Sequence, residues 1–255
     1  MTEQSETNQA SGERINRFLA HCGVCSRREA DRMIEAGRVK LNGETVKKPG
    51  VKIQPQDIVL VDDKPVSTNE DHIYILYNKP RGMLCSRKDD KGRPLIYDNL
   101  DIPPNVQSVG RLDMDSEGLL LLTSNGSLLQ TMIAPSTALP RRYKVKITGS
   151  LSLEAMEKLR NGGIDLGRGE LSDPWDLSID TEGGHSWITV TIKRGRWREV
   201  RRTLDAVGHL VRRLIRINFG PLKLEEGMPV GSWRTLTSKE VAGLKRLHKS
   251  ITNKV

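Results

Sequence analysis

Aromatic residues are scarce in this 255-residue chain, at 4%, and cysteine occurs only three times. RNA-binding domains that stack several bases on a sheet need more aromatic side chains, so that class is excluded. A small, odd number of cysteines in a chain of this length argues against a disulfide framework. Cys22 and Cys25 have the CxxC spacing of zinc sites, but no second pair of ligands follows at a suitable distance. We therefore predict no metal site.

Long apolar runs are also missing. No stretch approaches the length of a membrane span, and the polar, acidic N-terminus does not resemble a signal peptide. We expect a cytoplasmic protein without membrane contact. Lysine plus arginine (41) exceed aspartate plus glutamate (32), a formal net charge of +9. Because no amphipathic anchor or lipidation motif is visible, this charge indicates a nucleic acid as the polyanionic partner.

The N-terminal part predicts a small basic module. Residues 1–12 contain almost nothing that could be buried, so we expect a disordered tail. Residues 13–61 combine two short amphipathic helices with short strands around an Asn-Gly turn, and a capping box at Ser26 begins the second helix. Arginines crowd the helical part, which is typical of a phosphate-binding surface. The predicted phosphate contacts are Arg17, Arg27, Arg28 and Arg38.

A larger domain is expected after this module. Residues 62–71 are polar and predict a linker, and residues 72–247 predict the second domain. Strands and helices follow one another there without the regular alternation of a doubly wound fold, so we predict the α+β class. Residues 248–255 are expected to form a basic C-terminal tail.

Residues 110–126, GRLDMDSEGLLLLTSNG, place three acidic side chains directly before four leucines. Burying an unpaired carboxylate is costly, so Asp113, Asp115 and Glu117 cannot all face the core. Their alternating positions before a glycine imitate a calcium-binding loop, but Ser124 stands where that loop needs a glutamate. From these residues alone, a surface turn leading into a buried leucine strand is the simpler interpretation.

Several segments resemble an RNA-modifying family. Residues 14–44, RINRFLAHCGVCSRREADRMIEAGRVKLNGE, resemble the S4 (αL-type) RNA-binding domain. The stretch 110–126 closely resembles the catalytic motif of RNA pseudouridine synthases of the RsuA/RluB group. Further matching segments, in the family's order, are 77–82, 141–145, 195–202 and 213–217. The resemblance covers about residues 13–247 and implies an S4 domain followed by a catalytic domain, whose mixed, mostly antiparallel central sheet is flanked by helices.

The resemblance implies that Asp113, the aspartate of GRLD, is the catalytic residue. The family isomerises uridine in ribosomal RNA to pseudouridine: uracil leaves C1′ of its own ribose, turns, and rejoins through C5. No cofactor is needed. Asp113 can act as a nucleophile towards C1′ or the ring, or as a base at C2′, and the sequence does not decide between these roles. Residues 84–94 resemble the members that act on large-subunit (23S) ribosomal RNA, so we expect that RNA or a pre-ribosomal particle as partner.

Family position assigns two supporting residues. Arg201 is expected to pair with Asp113, and Tyr143 is expected to stack on the flipped uracil. Without the resemblance, Arg201 would be interpreted as a helix-surface pair with Asp205, and Tyr143 as an ordinary core residue.

Other basic residues of the second domain are expected to contact the RNA backbone. They are Lys79, Arg111, Arg198, Arg202, Arg212, Arg213 and Arg216. Asp115 and Glu117 are expected to face solvent or neighbouring basic groups, and the protein is expected to be a monomer. Two alternatives stay open: a non-catalytic S4-type RNA-binding factor that assists ribosome assembly, and a synthase that acts on another RNA, such as transfer RNA.

Overall fold

The computed structural model of the protein describes residues 12–67 and 72–253. Contacts divide the chain into two compact units. The first comprises the residues up to 72 together with 103–106, and the second comprises 73–102 and the residues from 107 onwards. The expected disordered tail, residues 1–12, lies outside the described part except for Gly12. Within the described ranges, no helix is both long and apolar enough to cross a membrane.

Two helices, α1 (Ile15–His21) and α2 (Arg27–Glu35), form the helical part of the first unit. The Ser26 hydroxyl accepts a hydrogen bond from the backbone N–H of Glu29 at 3.2 Å, so α2 begins where the capping pattern predicts. The apolar face of α2 is buried together with apolar residues of α1 and of the neighbouring strands. Burial of this shared core holds the small unit together.

Short strands complete the described part of this unit. They are β1 (Glu13–Arg14), β2 (Val39–Leu41), β3 (Glu44–Thr45), β4 (Lys52–Ile53), β5 (Val59–Val61) and β6 (Lys64–Val66). β1 pairs with β4, and the others form an antiparallel sheet in the order β3-β2-β5-β6. Asn42 and Gly43, between β2 and β3, have φ angles of 51° and 89°. These positive angles are those of a two-residue hairpin, which confirms the predicted Asn-Gly turn.

The structure corrects the prediction of a linker at residues 62–71. Asp62 and Asp63 have φ angles of 48° and 63°, and they form a second tight turn that joins β5 to β6. Residues 64–66 are therefore a strand of the small sheet. The sequence analysis missed this hairpin because Lys64 and Pro65 are exposed and the strand has no apolar alternation. Residues 68–71 lie outside the described part of the chain.

The cysteines of the CxxC segment are free thiols. Burial raises the pKa of the Cys22 thiol to about 11, with a smaller contribution from the charge of Glu13. A thiol with a raised pKa is a poor nucleophile and a poor metal ligand at neutral pH. Among the residues that the structure describes, no group of three or more histidine, cysteine or acidic side chains could hold a metal ion.

The second unit contains a large sheet. Its strands are β7 (Tyr74–Lys79), β8 (Gln107–Ser108), β9 (Glu117–Thr123), β10 (Arg141–Ile147), β11 (Asp176–Thr181), β12 (Trp187–Ile192), β13 (Val211–Phe219), β14 (Leu222–Lys223) and β15 (Trp233–Thr235). The main order is β11-β12-β10-β13-β9-β7-β15, with β14 paired to β13 and β8 to β9. The pair β9–β13 is parallel and the other strand pairs are antiparallel. The expected mixed, mostly antiparallel sheet of an α+β domain is confirmed.

The leucine run forms the centre of this sheet. Leu119 to Leu122 lie in β9 between β7 and β13 and are fully buried, so both faces of the strand are covered. Gly118 has a φ of +97°, and a Cβ atom there would come within 2.4 Å of the carbonyl oxygen of Arg216. Only glycine allows β9 and β13 to approach this closely directly after the acidic segment.

Helices flank the sheet: α3 (Gly126–Ile133), α4 (Leu153–Asn161), α5 (Glu199–Ala206) and α6 (Ser238–Thr252). Thr237 and Glu240 form a capping box at the start of α6. The prediction that a C-terminal tail begins at residue 248 is wrong, because α6 continues to Thr252. The His248 ring lies 2.9 Å from the Thr131 hydroxyl of α3, a contact that the sequence pattern of α6 could not reveal.

Candidate active site

The acidic segment forms a loop directly before β9. Within it, the N–H of Ser116 donates to the carbonyl oxygen of Asp113 at 3.0 Å. The Lys79 ammonium, at the end of β7, donates to the carbonyl oxygens of Pro80, Asp113 and Ser116 at 2.9, 3.2 and 3.0 Å. Lys79 thus connects the loop backbone, at Asp113 and at Ser116, to the end of β7.

Lys79 was predicted to contact RNA, and that prediction is wrong. The side chain is completely buried, and its donors are used by the three carbonyl oxygens. Burial lowers the pKa of Lys79, although the charges of nearby acidic groups, Asp115 and Asp113 among them, oppose this effect. A buried lysine is best accommodated by hydrogen bonds of this kind, because backbone oxygens replace the water it has lost.

A cavity of about 340 Å³ opens beside the loop. Asp113 and Ser116 from the loop line it, as do Tyr143 from β10 and Leu214 from β13. Its volume lies within the usual range for a small-molecule site. The wall combines two carboxylates, those of Asp113 and Glu199, with aromatic rings, apolar side chains and several arginines. This composition is suited to a planar, polar ligand attached to phosphate.

Tyr143 lies on the buried face of β10. It is 7% exposed, faces the cavity, and pairs across the sheet with Val190 of β12 and Arg216 of β13. Antiparallel neighbours fix the ring on both sides, so it forms a rigid wall opposite the loop. The structure therefore brings Tyr143 and Asp113 to one cavity, as expected from the sequence.

Arg198 lies within ion-pair distance of Asp113. Its guanidinium lies 3.7 Å from Asp113 Oδ2 and donates to both carboxylate oxygens of Asp115 at 3.2 Å. These hydrogen bonds raise the pKa of Arg198. The residue has a φ of 49°, in the left-handed region, directly before α5. This backbone turn aims the side chain at the acidic loop.

The expected pair of Arg201 with Asp113 is corrected. The Arg201 guanidinium lies 3.2 Å from Asp115 Oδ2 and donates to the Asp115 carbonyl oxygen at 2.9 Å. Burial raises the pKa of Asp115, but the hydrogen bond from Arg198 and the charges of Arg201 and Arg198 outweigh it, so this pKa is lowered. Asp115 thus holds two arginines in place, while the Asp113 side chain borders the cavity.

Family comparisons agree with this geometry. Residues 73–206 match the model of the RNA pseudouridylate synthase family, and residues 13–68 match the S4 domain. The first match covers more than half of the chain. The protein belongs to the RNA pseudouridine synthase family. The boundary of the S4 match at residue 68 also agrees with the strand β6 that replaces the first part of the expected linker.

Individual relatives cover nearly the whole synthase. An uncharacterised RNA pseudouridine synthase of Aquifex aeolicus is 41% identical over 91% of this chain and 93% of its own length. The ribosomal large subunit pseudouridine synthase B of Bacillus subtilis is 38% identical over 92% of this chain and 96% of its own. A crystal structure of a pseudouridylate synthase is 31% identical and superposes with a TM-score of 0.66, covering 91% of this chain and 99% of the other.

In this synthase, Glu117 faces a neighbouring basic group, which is one of its two expected environments. It is 4% exposed, and its carboxylate accepts hydrogen bonds from Arg213 at 2.9 and 2.8 Å. Arg213, predicted to contact RNA, is thus engaged by Glu117. Arg216, predicted as another phosphate contact, is 2% exposed and donates to the carbonyl oxygen of Leu119. Alternation along β13 does not reveal that Arg216 supports the sheet. The Arg213 side chain is 44% exposed, so its contact with RNA stays a prediction.

Arg202 is also a structural residue rather than the predicted RNA contact. Its guanidinium donates to the carbonyl oxygens of Leu166 and Gly167 and pairs with Glu170 at 2.7 Å. A further bond reaches the carbonyl oxygen of Trp197 at 3.0 Å. With its donors occupied and its side chain only 15% exposed, Arg202 fixes a neighbouring loop.

The remaining predicted RNA contacts are exposed. Arg111 borders the cavity and Arg212 lies at the surface of β13. In the first unit, Arg17, Arg27, Arg28 and Arg38 are exposed as well, although Arg17 pairs with Glu13 at 3.0 Å and Arg38 pairs with Asp62. Their contact with RNA stays a prediction.

Glu199 was missed by the sequence analysis. It is 2% exposed at the start of α5, and it accepts hydrogen bonds from the Arg196 backbone at 2.9 Å and side chain at 3.0 Å. Burial raises the pKa of Glu199, and Arg196 opposes the rise. Both residues line the cavity beside Tyr143. The i, i+3 spacing of an arginine and a glutamate at a helix start was the available signal.

Proposed function

We propose that this protein converts a uridine of large-subunit ribosomal RNA into pseudouridine, with Asp113 as the reacting carboxylate. The observation that carries the proposal is the position of Asp113 and Tyr143 on the wall of one cavity of about 340 Å³. The Bacillus subtilis relative is a ribosomal large subunit pseudouridine synthase, and this similarity supports the choice of RNA. The S4 match and the net charge of +9 favour RNA binding.

The target uridine must leave its stack to reach Asp113. Flipping costs a few kcal/mol of stacking and pairing, and contacts in a fitted pocket recover it. The Tyr143 ring offers a flat surface for the uracil, while Leu214 and Val200 supply apolar contacts around it. Arginines around the opening are suited to the phosphates on either side of the flipped nucleotide.

The reaction moves the base on its own ribose. The bond between N1 and C1′ breaks with its electron pair leaving on the uracil, the base turns, and C5 bonds to C1′. C5 then loses its proton and N1 gains one, so the product is an isomer of the substrate. Asp113 either bonds to the sugar or ring, or takes a proton from C2′ and returns it. In every case an ionised carboxylate is needed, and the Arg198 guanidinium lies 3.7 Å from Asp113 Oδ2.

Three roles follow for the residues around Asp113. Lys79 holds the loop by its backbone, so the carboxylate itself stays free. Arg198 faces Asp113, while Arg201 acts through Asp115 and thereby positions Arg198. Arg201 is therefore proposed as a positioning residue. The enzyme is proposed to act as a cytoplasmic monomer without a cofactor, since one chain supplies every residue of the cavity.

The test is a map of pseudouridines in ribosomal and transfer RNA from cells with and without the gene. We expect one position in large-subunit RNA to lose its pseudouridine without the gene, and to regain it when the wild-type gene is restored. A gene encoding Asp113→Asn should not restore it. An unchanged map would favour the non-catalytic assembly factor, and a loss confined to transfer RNA would favour the other substrate class.

A further inference from the structure

Trp197 is an exposed aromatic residue at the cavity mouth. The side chain is 57% exposed, although tryptophan usually buries most of its surface. It lines the cavity that contains Asp113 and Tyr143, and also an adjoining open depression formed with Arg81 and Arg198. A large apolar ring that is left in water next to a ligand cavity is suited to contact with a bound molecule.

An unusual turn brings the Arg168 guanidinium to this ring, which the Arg202 guanidinium also approaches, at 5.6 Å from the ring centre. Gly167, Arg168 and Gly169 have φ angles of 73°, 61° and 73°, so three successive residues are left-handed. An arginine adopts this conformation only at a cost in free energy. The turn places the Arg168 guanidinium 4.9 Å from the centre of the Trp197 ring. Within the described part of the chain, that guanidinium makes no ion pair or hydrogen bond, so its donors are available.

Arg202 holds the ring and the turn together. It donates to the carbonyl oxygens of Leu166 and Gly167 on the turn, and to the carbonyl oxygen of Trp197 at 3.0 Å. Arg202 is mostly buried and fixed, whereas Arg168 is exposed. The pair of Trp197 and Arg168 is thus mounted on a rigid support at the cavity mouth, which is the arrangement expected of a preorganised binding surface.

We propose that Trp197 and Arg168 bind an unpaired RNA nucleotide adjacent to the target uridine. The base stacks on the indole, and the Arg168 guanidinium binds the phosphate of the same nucleotide. Flipping the uridine into the cavity deprives its neighbour of a stacking partner, and the indole replaces that partner. This inference rests on the proposed function, because it places the target uridine in the cavity. Stacking of this kind accepts any base, so it supplies affinity and register rather than sequence specificity.

The test measures affinity for a nine-nucleotide single-stranded RNA that carries one central uridine. Fluorescence anisotropy is used at low salt, with wild type, Trp197→Ala, Trp197→Phe and Arg168→Gln. Trp233→Ala is the matched control, since Trp233 is 40% exposed on β15 and does not line the cavity. We expect Trp197→Ala to weaken binding about tenfold, as loss of one stacked base would. Trp197→Phe and Trp233→Ala should stay within about threefold of wild type.

A second set of RNAs locates the contact. An abasic residue replaces the nucleotide before or after the uridine, which removes the base and keeps the phosphate. For one of these abasic RNAs, we expect wild type to bind about tenfold more weakly than it binds the unmodified RNA. Trp197→Ala should lose less than about twofold, because this variant has no indole on which the base could stack. Arg168→Gln should lower the salt dependence of binding by about one ion.

Two results would overturn the proposed binding of a nucleotide by Trp197 and Arg168. One is equal affinity of wild type and Trp197→Ala for the nine-nucleotide RNA, and the other is an equal loss of affinity for the abasic RNA in both proteins. Lack of measurable binding by wild type to the nine-nucleotide RNA would overturn it as well. These outcomes are separable from failure of the proposed function. That failure would appear as an absence of pseudouridine formation by wild type on 23S ribosomal RNA, whatever Trp197 does.

Discussion

Both units of the protein are rich in arginine, but they hold these residues differently. In the first unit, Arg27 and Arg28 are exposed on α2. In the second unit, Arg216 is 2% exposed, and the side chains of Arg201 and Arg202 are 12% and 15% exposed. These three hydrogen-bond to backbone oxygens or pair with acids. Arginines in a basic segment can therefore be exposed and free to bind RNA, or buried and bound to acceptors within the protein.

The difference follows from solvation. An exposed guanidinium keeps its water and can exchange it for a phosphate, with counterion release as the driving force. A buried guanidinium has lost its water and must find fixed acceptors within the protein. Substitutions of the buried arginines of the second unit should therefore change stability and catalysis, while substitutions of exposed arginines, such as those of α2, should change RNA affinity and its dependence on salt. The predictions below test this contrast, from the largest expected effect to the smallest.

Lys79→Met should have the largest effect on stability. It removes three hydrogen bonds to the acidic loop and leaves buried carbonyl oxygens without donors. We expect a loss of about 3 kcal/mol in the free energy of unfolding, measured in urea, and at least a hundredfold slower pseudouridine formation. Lys239→Met, at an exposed position of α6, is the control and should leave both quantities nearly unchanged. Equal stability of the two variants would remove the distinction between buried and exposed cations.

Arg213→Gln should destabilise the second unit less. Its partner Glu117 has a side chain that is 6% exposed, so the substitution leaves a nearly buried carboxylate without its partner. Because the Arg213 side chain is itself 44% exposed, we expect a loss of about 2 kcal/mol, below the range for fully buried pairs. The double variant Glu117→Gln/Arg213→Gln should recover part of it. A double variant that is less stable than Arg213→Gln would contradict the pairing.

The Arg234–Glu240 pair is partly buried, and its contribution to stability should depend on pH. The hydrogen bond from Arg234 lowers the pKa of Glu240 to about 2, from an ordinary value of 4.5. Because the folded pKa is the lower one, the stabilisation is complete above pH 4.5 and is lost as the pH falls towards 2. Glu240→Gln should therefore be about 1 kcal/mol less stable than wild type at pH 7. Thermal unfolding should show this gap closing below pH 4, and a gap independent of pH would contradict the account.

Arg28→Gln should have the smallest effect on stability. The side chain is exposed, so we expect a change of less than about 0.5 kcal/mol in the free energy of unfolding. Affinity for ribosomal RNA should fall a few-fold, and the salt dependence of binding should decrease by about one ion. Binding titrations at several salt concentrations measure this. A stability loss comparable to that of Lys79→Met would show that α2 does not follow the proposed contrast.

Much of the fold follows from local patterns in the sequence. Ser26 and Thr237 each begin a helix by capping it, and the Asn-Gly turn at residue 42 forms because both residues tolerate positive φ. The hairpin at residues 62–66 was not predictable in this way. Its turn consists of two aspartates, which are as common in linkers as in hairpins, and its strand has no apolar alternation.

The site was predictable in its members but not in its pairings. Asp113 and Tyr143 share a cavity, as the family motif implies. Arg201 contacts Asp115, and the left-handed turn at Arg198 brings that other arginine to within 3.7 Å of Asp113. Such pairings depend on a few ångströms between β9, β13 and α5. Charge patterns along the chain do not encode those distances.

The central claim is that Asp113 is the reacting carboxylate and that the surrounding basic residues serve it. Single-turnover formation of pseudouridine in 23S ribosomal RNA by Asp113→Asn tests this claim most directly, with Asp205→Asn on the exposed side of α5 as the matched control. We expect the Asp113→Asn rate to fall by at least about a thousandfold while RNA affinity stays within about threefold of wild type. Asp205→Asn should react like wild type. Pseudouridine formation by Asp113→Asn at the wild-type rate would contradict the account.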